Sequence, residues 1–299
     1  MTQKPWRGSF AIPMTPYDEN DCIDEDVLAA ELEFCIESGV GGIAAPLMVS
    51  EFRSLSEAER KLMMRVAVEV SAGRTPVVAN VAAVNTPLAV EYATYAQKIG
   101  ADAVIAMPPY VNKVDFKKLY AYYKAISDVV DVPVWIQNAS VAALSPDRLV
   151  QLCEEIENVS WVKEEVPPSR KNITALLAKK SPAVKGVMGG GGGRPMLVEH
   201  ARGAAGNVHA CQFCDVVQRV WELLDAGEVD AAGALFEHLL PSLMLEGMMG
   251  MAYAKEIMVR RGVFKNHNVR NNSHPLDAHD MAEIDRSWDR IEPYLLWHK

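Results

Sequence analysis

No stretch of the 299-residue sequence approaches the roughly 20 consecutive apolar residues that a membrane-spanning helix needs. Cysteine is scarce and odd in number: Cys22, Cys35, Cys153, Cys211 and Cys214. That suits a reducing compartment better than a disulfide framework. Cys211 and Cys214 form a lone CxxC two residues after His209. A structural zinc needs four ligands and there is no second pair, so two ordinary thiols stand beside a metal or redox site as readings, and no metal is expected. A basic excess is also missing: 30 Lys and Arg against 39 Asp and Glu leave a formal charge of −9. Nucleic acid needs a clustered basic surface and is excluded as a partner, while an anionic small molecule is not, because a few backbone N–H groups can hold a carboxylate. The opening MTQKPWRGSF lacks the apolar centre of a signal peptide, so a cytoplasmic location is expected, with no membrane partner. The glycine run MGGGGGR (188–194) is not followed by the GK[ST] of a phosphate loop.

What is present is a repeat. A short apolar run, a turn and an amphipathic stretch recur every 25 to 35 residues. The eight runs are FAIP (10–13), GIAAP (42–46), PVVANV (76–81), ADAVIAM (101–107), VPVWIQ (132–137), VSWVKE (159–164), AVKGVM (183–188) and GNVHA (206–210). Nearly continuous hydrophobicity is the mark of parallel strands buried on both faces. The segments between them carry helix signals. Val27, Leu28, Leu32 and Cys35 recur near 3.6-residue spacing before SGVGG, whose glycines suit a helix end. Ser56 stands three residues before Glu59 as in a capping box, and Asn85 or Thr86, Asp115 and Ser145 are further N-cap candidates. Eight right-handed β/α units predict a closed (β/α)8 barrel over residues 1–215. Beyond it, 216–226, 229–246, 250–261 and 278–296 read as helices of a C-terminal extension (216–299) packed on the barrel, with a polar loop at 265–275. The Met-rich piece 243–254 reads as a packing surface, with a binding groove as the sharper alternative.

In such barrels the chemistry sits at the C-terminal ends of the strands. That rule singles out Glu51, Gln137, Lys163, Glu165, the glycine run and His209. Lys163 ends an apolar strand, where an unpaired ammonium is costly, and a desolvated neutral amine attacks ketones to form imines. The plainer reading is a lysine that snorkels outward or pairs with Glu164 or Glu165. His209 reads either as a second acid/base group or as a hydrogen-bonded core histidine.

At this point the chain resembles the dihydrodipicolinate synthase/N-acetylneuraminate lyase family of class I aldolases. The resemblance covers nearly all of it: GSFAIPMTPYDEN at the start, EFRSLSEAER after strand two, PPYVNK after strand four and NVSWVKE around the lysine. It implies that Lys163 forms the Schiff base with a 2-keto acid, that no other cofactor is required, and that the protein is a homo-oligomer, commonly a tetramer. The departures are specific. The family's glycine–threonine–threonine–glycine–glutamate turn is LMVSE here, with Met48, Val49 and Ser50 before the retained Glu51. The strand-five tyrosine is Gln137, a second tyrosine is Val111 beside a matching Tyr110, and a carboxylate-binding arginine is Ala142. Dihydrodipicolinate synthesis is thereby excluded.

A glutamine amide does not titrate, so another group must move protons. Glu165 lies two residues beyond Lys163 and on a strand would share its face, with Cα atoms about 6.6 Å apart at roughly 3.3 Å per residue. A solvated strand-end charge is its bland alternative. Met48, Val49, Ser50 and Glu51 are expected to bind the α-carboxylate through backbone N–H groups, with Glu51 orienting the turn. Tyr110 and, by analogy with the family, Gly190, Gly191 and Gly192 are expected to face substrate, a flexible turn being the other reading of the glycines. Gln137 with Glu165 looks most like the branch that dehydrates L-2-keto-3-deoxyarabonate, which implies α-ketoglutaric semialdehyde as product and a place in sugar-acid breakdown. The alternatives are a pyruvate-releasing aldolase or hydratase-aldolase, and a non-catalytic ligand-binding barrel.

Overall fold

The eight apolar runs form eight parallel strands, each beginning or ending within a few residues of its run. They are β1 (Gly8–Ile12), β2 (Gly42–Ala45), β3 (Val77–Asn80), β4 (Ala103–Ala106), β5 (Val134–Asn138), β6 (Val159–Glu164), β7 (Gly186–Gly189) and β8 (Gly206–Ala210). Each pairs in parallel with the next, and β8 pairs with β1 over five residues, so the sheet closes into a barrel as the sequence predicts. The computed structural model describes residues 6–111, 114–270 and 274–298. The start of the MTQKPWRGSF segment, Asn112 and Lys113 of the PPYVNK turn, residues 271–273 of the polar loop and Lys299 lie outside the described residues.

Between the strands lie α1 (Glu25–Glu37), α2 (Glu57–Ser71), α3 (Thr86–Ile99), α4 (Phe116–Ser127), α5 (Pro146–Glu155), α6 (Ser169–Leu177) and α7 (Met196–His200). The caps fall where the side chains demand. Ser56 accepts from the Glu59 N–H while Glu59 reaches back to the Ser56 N–H at 2.7 Å. Asn85, Asp115 and Ser145 accept from Leu88, Lys118 and Arg148. Gly39, just past α1, takes the left-handed conformation (φ 73°) that ends such helices without strain.

The remaining helices are α8 (Cys214–Asp225), α9 (Val229–Met249), α10 (Met251–Arg260) and α11 (Ala278–Ile291). Here one expectation is corrected. The break placed at residue 215 falls inside the eighth β/α unit, because α8 packs on β1 and β8 as the last barrel helix. Asp215 itself joins the two parts. Its carboxylate meets Arg261 at 2.7 Å and accepts from the N–H groups of Leu296 and Trp297 at 2.9 and 3.0 Å. Both side chains are 1% exposed, and an ion pair removed from water this far needs the full set of partners seen here. The C-terminal helices are therefore tied to the barrel through its eighth helix. No helix among the described residues is long and apolar enough to cross a membrane.

Side chains alternate along each strand between the barrel interior and the helix layer. The interior is filled by Phe10, Ile12, Val78, Ile105, Trp135, Met188 and Val208. Trp135 stacks on Trp161 with ring centroids 5.2 Å apart, and Trp6 closes the same cluster from the N-terminal end. This aromatic floor confines any lumen-facing polar group to the C-terminal mouth.

Candidate active site

On β6, Trp161 and Lys163 point inward, whereas Val162 and Glu164 belong to the helix layer. Lys163 is only 2% exposed and stands one step above the indole floor. Glu164 is also buried, but it faces away: it accepts from Asn138 Nδ2 at 2.7 Å and from the Val166 N–H at 2.8 Å. Burial raises its pKa, the hydrogen bonds opposing this in part.

Glu165 follows the strand, its N–H bound to the Asn138 carbonyl at 2.9 Å. Its Oε1 lies 3.0 Å from Lys163 Nζ, and its Oε2 accepts from Gln137 Nε2 at 2.6 Å. Gln137 and Lys163 are register partners across β5 and β6, so their side chains leave the sheet on the same side. The lysine's counter-ion is thus Glu165 rather than Glu164. Three residues from the sequence reading meet at one point: an amine, a carboxylate touching it, and an amide orienting the carboxylate. A buried amine and a quarter-exposed carboxylate in contact can exchange a proton directly.

The turn after β2 is a short 3-10 segment, Met48–Ser50. Its closing bonds use the N–H groups of Ser50, Glu51 and Phe52, and a turn of this kind leaves those of Met48 and Val49 over. Ser50 rivets the turn to β1 by accepting from the Leu47 N–H and donating to the Pro13 carbonyl. Val49 packs on the interior cluster, and Met48 is 42% exposed. Glu51 adopts a left-handed conformation (φ 54°) and turns to the C-terminal helices. It accepts from Lys255 Nζ at 2.6 Å and from the Arg270 N–H at 3.1 Å. Desolvation lowers the Lys255 pKa against the pull of Glu51. Glu51 thus fastens the turn by hydrogen bonding. Nothing in the sequence announced Lys255 as its partner, because the two are 204 positions apart and each sits in an unremarkable local pattern.

Beyond β7 the glycines divide into two kinds. Gly191, Gly192 and Gly193 have φ of 61°, 63° and 78°, a backbone that side chains disfavour. Gly189 and Gly190 are instead demanded by space. A Cβ on Gly189 would lie 1.8 Å from Glu199 Oε2, and one on Gly190 would lie 2.5 Å from Glu165 Cγ. Glu199 is buried and held by Ser169 Oγ at 2.7 Å and Asn207 Nδ2 at 2.8 Å.

Of the two readings of His209, its surroundings fit the hydrogen-bonded core histidine. On β8 it shares a face with Asn207, whose side chain meets Glu199 and Trp221 of the helix layer. Its Nε2 lies 2.8 Å from Ser9 Oγ and its Nδ1 lies 2.8 Å from the Ala210 carbonyl. Nδ1–H donating to that carbonyl leaves Nε2 to accept the serine hydroxyl, a neutral tautomer. Burial lowers its pKa to about 4, opposed by the Ala210 bond and assisted by the charge on Lys163. Alternation rather than chemistry places it, so it is a core histidine and not a substrate contact. Tyr110 sits at the rim with its ring edge-on to Phe52 at 5.6 Å and under the Arg53 guanidinium at 5.3 Å.

The Cys211/Cys214 pair lies on the far side of the wall. Both thiols are free and buried, and Cys211 donates to Glu31 Oε1 at 3.0 Å. Glu31 also accepts from the Met14 N–H, and burial drives its pKa up to about 8. A cavity of about 620 Å³ opens at the opposite, N-terminal end of the barrel, lined by Trp6, Arg7, Arg74, Asp102 and Trp221. Its arginines are already bound, Arg7 to Asp225 and Arg74 to Glu33, and it contains no strand C-terminus.

A lysine held in the mouth of a closed parallel barrel against a carboxylate is an arrangement in which an amine can attack a ketone. The sequence model of the Dihydrodipicolinate synthetase family matches residues 5–287, and the chain belongs to that family. Among characterised relatives it is 27% identical to L-2-keto-3-deoxyarabonate dehydratase of Azospirillum brasilense over 97% of this chain and 96% of that one. It is 35% identical to 4-hydroxy-tetrahydrodipicolinate synthase of Bartonella quintana, but over only 53% of this chain and 55% of the relative. The fold matches dihydrodipicolinate synthase from Rhodopseudomonas palustris with a TM-score of 0.87 at 24% identity, covering 95% and 97% of the two chains. A prophage protein of the same family from E. coli K12, solved in complex with pyruvate, gives a TM-score of 0.89 at 22% identity, covering 96% and 99%.

Proposed function

We propose that this protein is a hydro-lyase that dehydrates a 2-keto-3-deoxy sugar acid, L-2-keto-3-deoxyarabonate, to α-ketoglutaric semialdehyde. The observation that carries the reading is the Glu165 carboxylate bridging Lys163 and Gln137. The full-length likeness to a dehydratase of that substrate supports it.

Lys163 gives up a proton, attacks the C2 ketone and expels water, forming an iminium. The iminium acidifies C3, and Glu165 takes a C3 proton to leave an enamine. Glu165 then returns that proton to the C4 hydroxyl, whose C–O bond breaks with loss of water. Hydrolysis frees Lys163, and migration of the new double bond toward C5 turns the terminal alcohol carbon into an aldehyde. One carboxyl acting as base and then acid is economical here, because Gln137 can orient but not titrate. The Met48 and Val49 N–H groups receive the α-carboxylate, Tyr110 and Gly190 to Gly192 border the sugar chain, and the reaction needs no cofactor beyond the imine. Family membership supports an oligomer; we read it as a tetramer and place it in the cytoplasm, in sugar-acid breakdown.

The test is a product assay with a panel of five- and six-carbon 2-keto-3-deoxy acids. Semialdehyde should form with no pyruvate. Stoichiometric pyruvate would instead establish carbon–carbon cleavage, and no borohydride-trapped adduct on Lys163 with any 2-keto acid would remove the imine altogether.

A further inference from the structure

Glu165 owes its position to more than its two hydrogen-bonding partners. The end of β7 passes so close that a methyl group on Gly190 would sit 2.5 Å from its Cγ and 2.6 Å from its Oε1. Real carbon contacts of this kind fall near 3.5–4.0 Å, so one of the two must give way. The β7 end is the less free partner. One residue earlier, Gly189 is pressed against the buried Glu199 and Asn207, each of which is hydrogen-bonded. One residue later begins the Gly191–Gly193 turn with three consecutive positive φ angles. Glu165, by contrast, is a quarter-exposed side chain with rotatable bonds.

From this we infer that Gly190 is a positioning residue for Glu165: its missing side chain is what lets the carboxylate touch Lys163 and Gln137 at once. The inference rests on the reading of Lys163 as the imine-forming amine and Glu165 as the C3 base. It also explains why two adjacent glycines end this strand: on opposite faces of the chain, each makes room for a different glutamate. A substitution at 190 acts on the proton-transfer step and not on imine formation, because the displaced group is the base and not the nucleophile.

The experiment uses pyruvate as the probe, in D2O. Its imine on Lys163 loses a methyl proton to Glu165, the carboxyl exchanges with solvent, and deuterium returns to the methyl carbon, which NMR follows directly. Gly190→Ala should slow this exchange about 100-fold, the lower end of what a positioned base contributes. Glu165→Ala should slow it at least as much, and adding Gly190→Ala to Glu165→Ala should cost nothing further. Borohydride trapping of pyruvate on Lys163 should survive in all three. The inference is overturned by wild-type exchange in Gly190→Ala, by an equal loss in both backgrounds, or by disappearance of the adduct in Gly190→Ala. If the exchange cycle holds but no 2-keto-3-deoxy acid is dehydrated, the dehydratase reading fails and Gly190 keeps its role. Absence of exchange in the unmodified enzyme removes Glu165 as the base, and this inference with it.

Discussion

Gln137 donates to Glu165 Oε2 across 2.6 Å, and that short contact occupies the carboxylate oxygen that Lys163 does not touch. The amide holds the carboxylate at a fixed angle and cannot itself titrate. Glu165→Gln should retain the borohydride adduct and lose roughly 100-fold or more in kcat, as removal of a general base does. Gln137→Ala should cost less, roughly 10- to 100-fold, because a hydrogen bond to a charged group contributes about 1.5–3 kcal/mol. Steady-state kinetics with the dehydrated substrate settles both, and full turnover in Glu165→Gln would exclude it from proton transfer.

Glu51 and Lys255 fasten the turn after β2 to the C-terminal helices with both side chains nearly dry, 7% and 1% exposed. Lys255→Met leaves a buried carboxylate without its cation, and breaking such a pair typically costs 3–5 kcal/mol. The midpoint of urea unfolding should fall accordingly. Because Met48 and Val49 lie on the same turn, KM for the keto acid should rise more than kcat falls.

His209 is held neutral, with a pKa of about 4 against an ordinary value of 6.5, chiefly because burial disfavours the imidazolium. The unfolded chain therefore takes up a proton that the folded chain refuses as pH drops below 6.5. Stability should be lost between about pH 6.5 and 4, with no further contribution below. A depression of this size corresponds to a loss of order 3 kcal/mol. Comparing urea midpoints across that range in the wild type and His209→Asn tests this: the variant should lose stability less steeply, and parallel curves would refute it.

Glu31 has the opposite sign. Burial raises its pKa from 4.5 to about 8, so the folded protein keeps a proton that the unfolded chain releases as pH rises through that window. Its contribution is intact below pH 4.5 and lost on approach to pH 8. Glu31→Gln preserves an acceptor for the Met14 N–H and removes the ionisation. The variant should gain a few kcal/mol relative to wild type at pH 8 compared with pH 5, read from the same unfolding experiment.

Much of the fold was legible because its causes are local. VVAN and VSWVKE announce buried strands by composition, and Ser56 with Glu59 announces a helix start by spacing; all three appear where expected. The end of the barrel was harder. Cys214–Asp225 is amphipathic like any outer helix, and only its packing on β1 and β8 makes it the eighth barrel helix. His209 stayed between two readings for a related reason. Proximity to a strand end was visible, but the face it occupies depends on the strand's register, which a short run of residues does not reveal.

The chain alone determined the eight-strand pattern, the lysine at the end of the sixth strand, and the residues where this protein departs from its relatives, because hydrophobic period and residue chemistry are written position by position. Only the closed barrel decided that Gln137 holds Glu165, that Glu51 answers to Lys255, and that two glycines stand aside for two carboxylates. Those are contacts between residues far apart in the chain, and they exist only once strand register has chosen a face for every side chain.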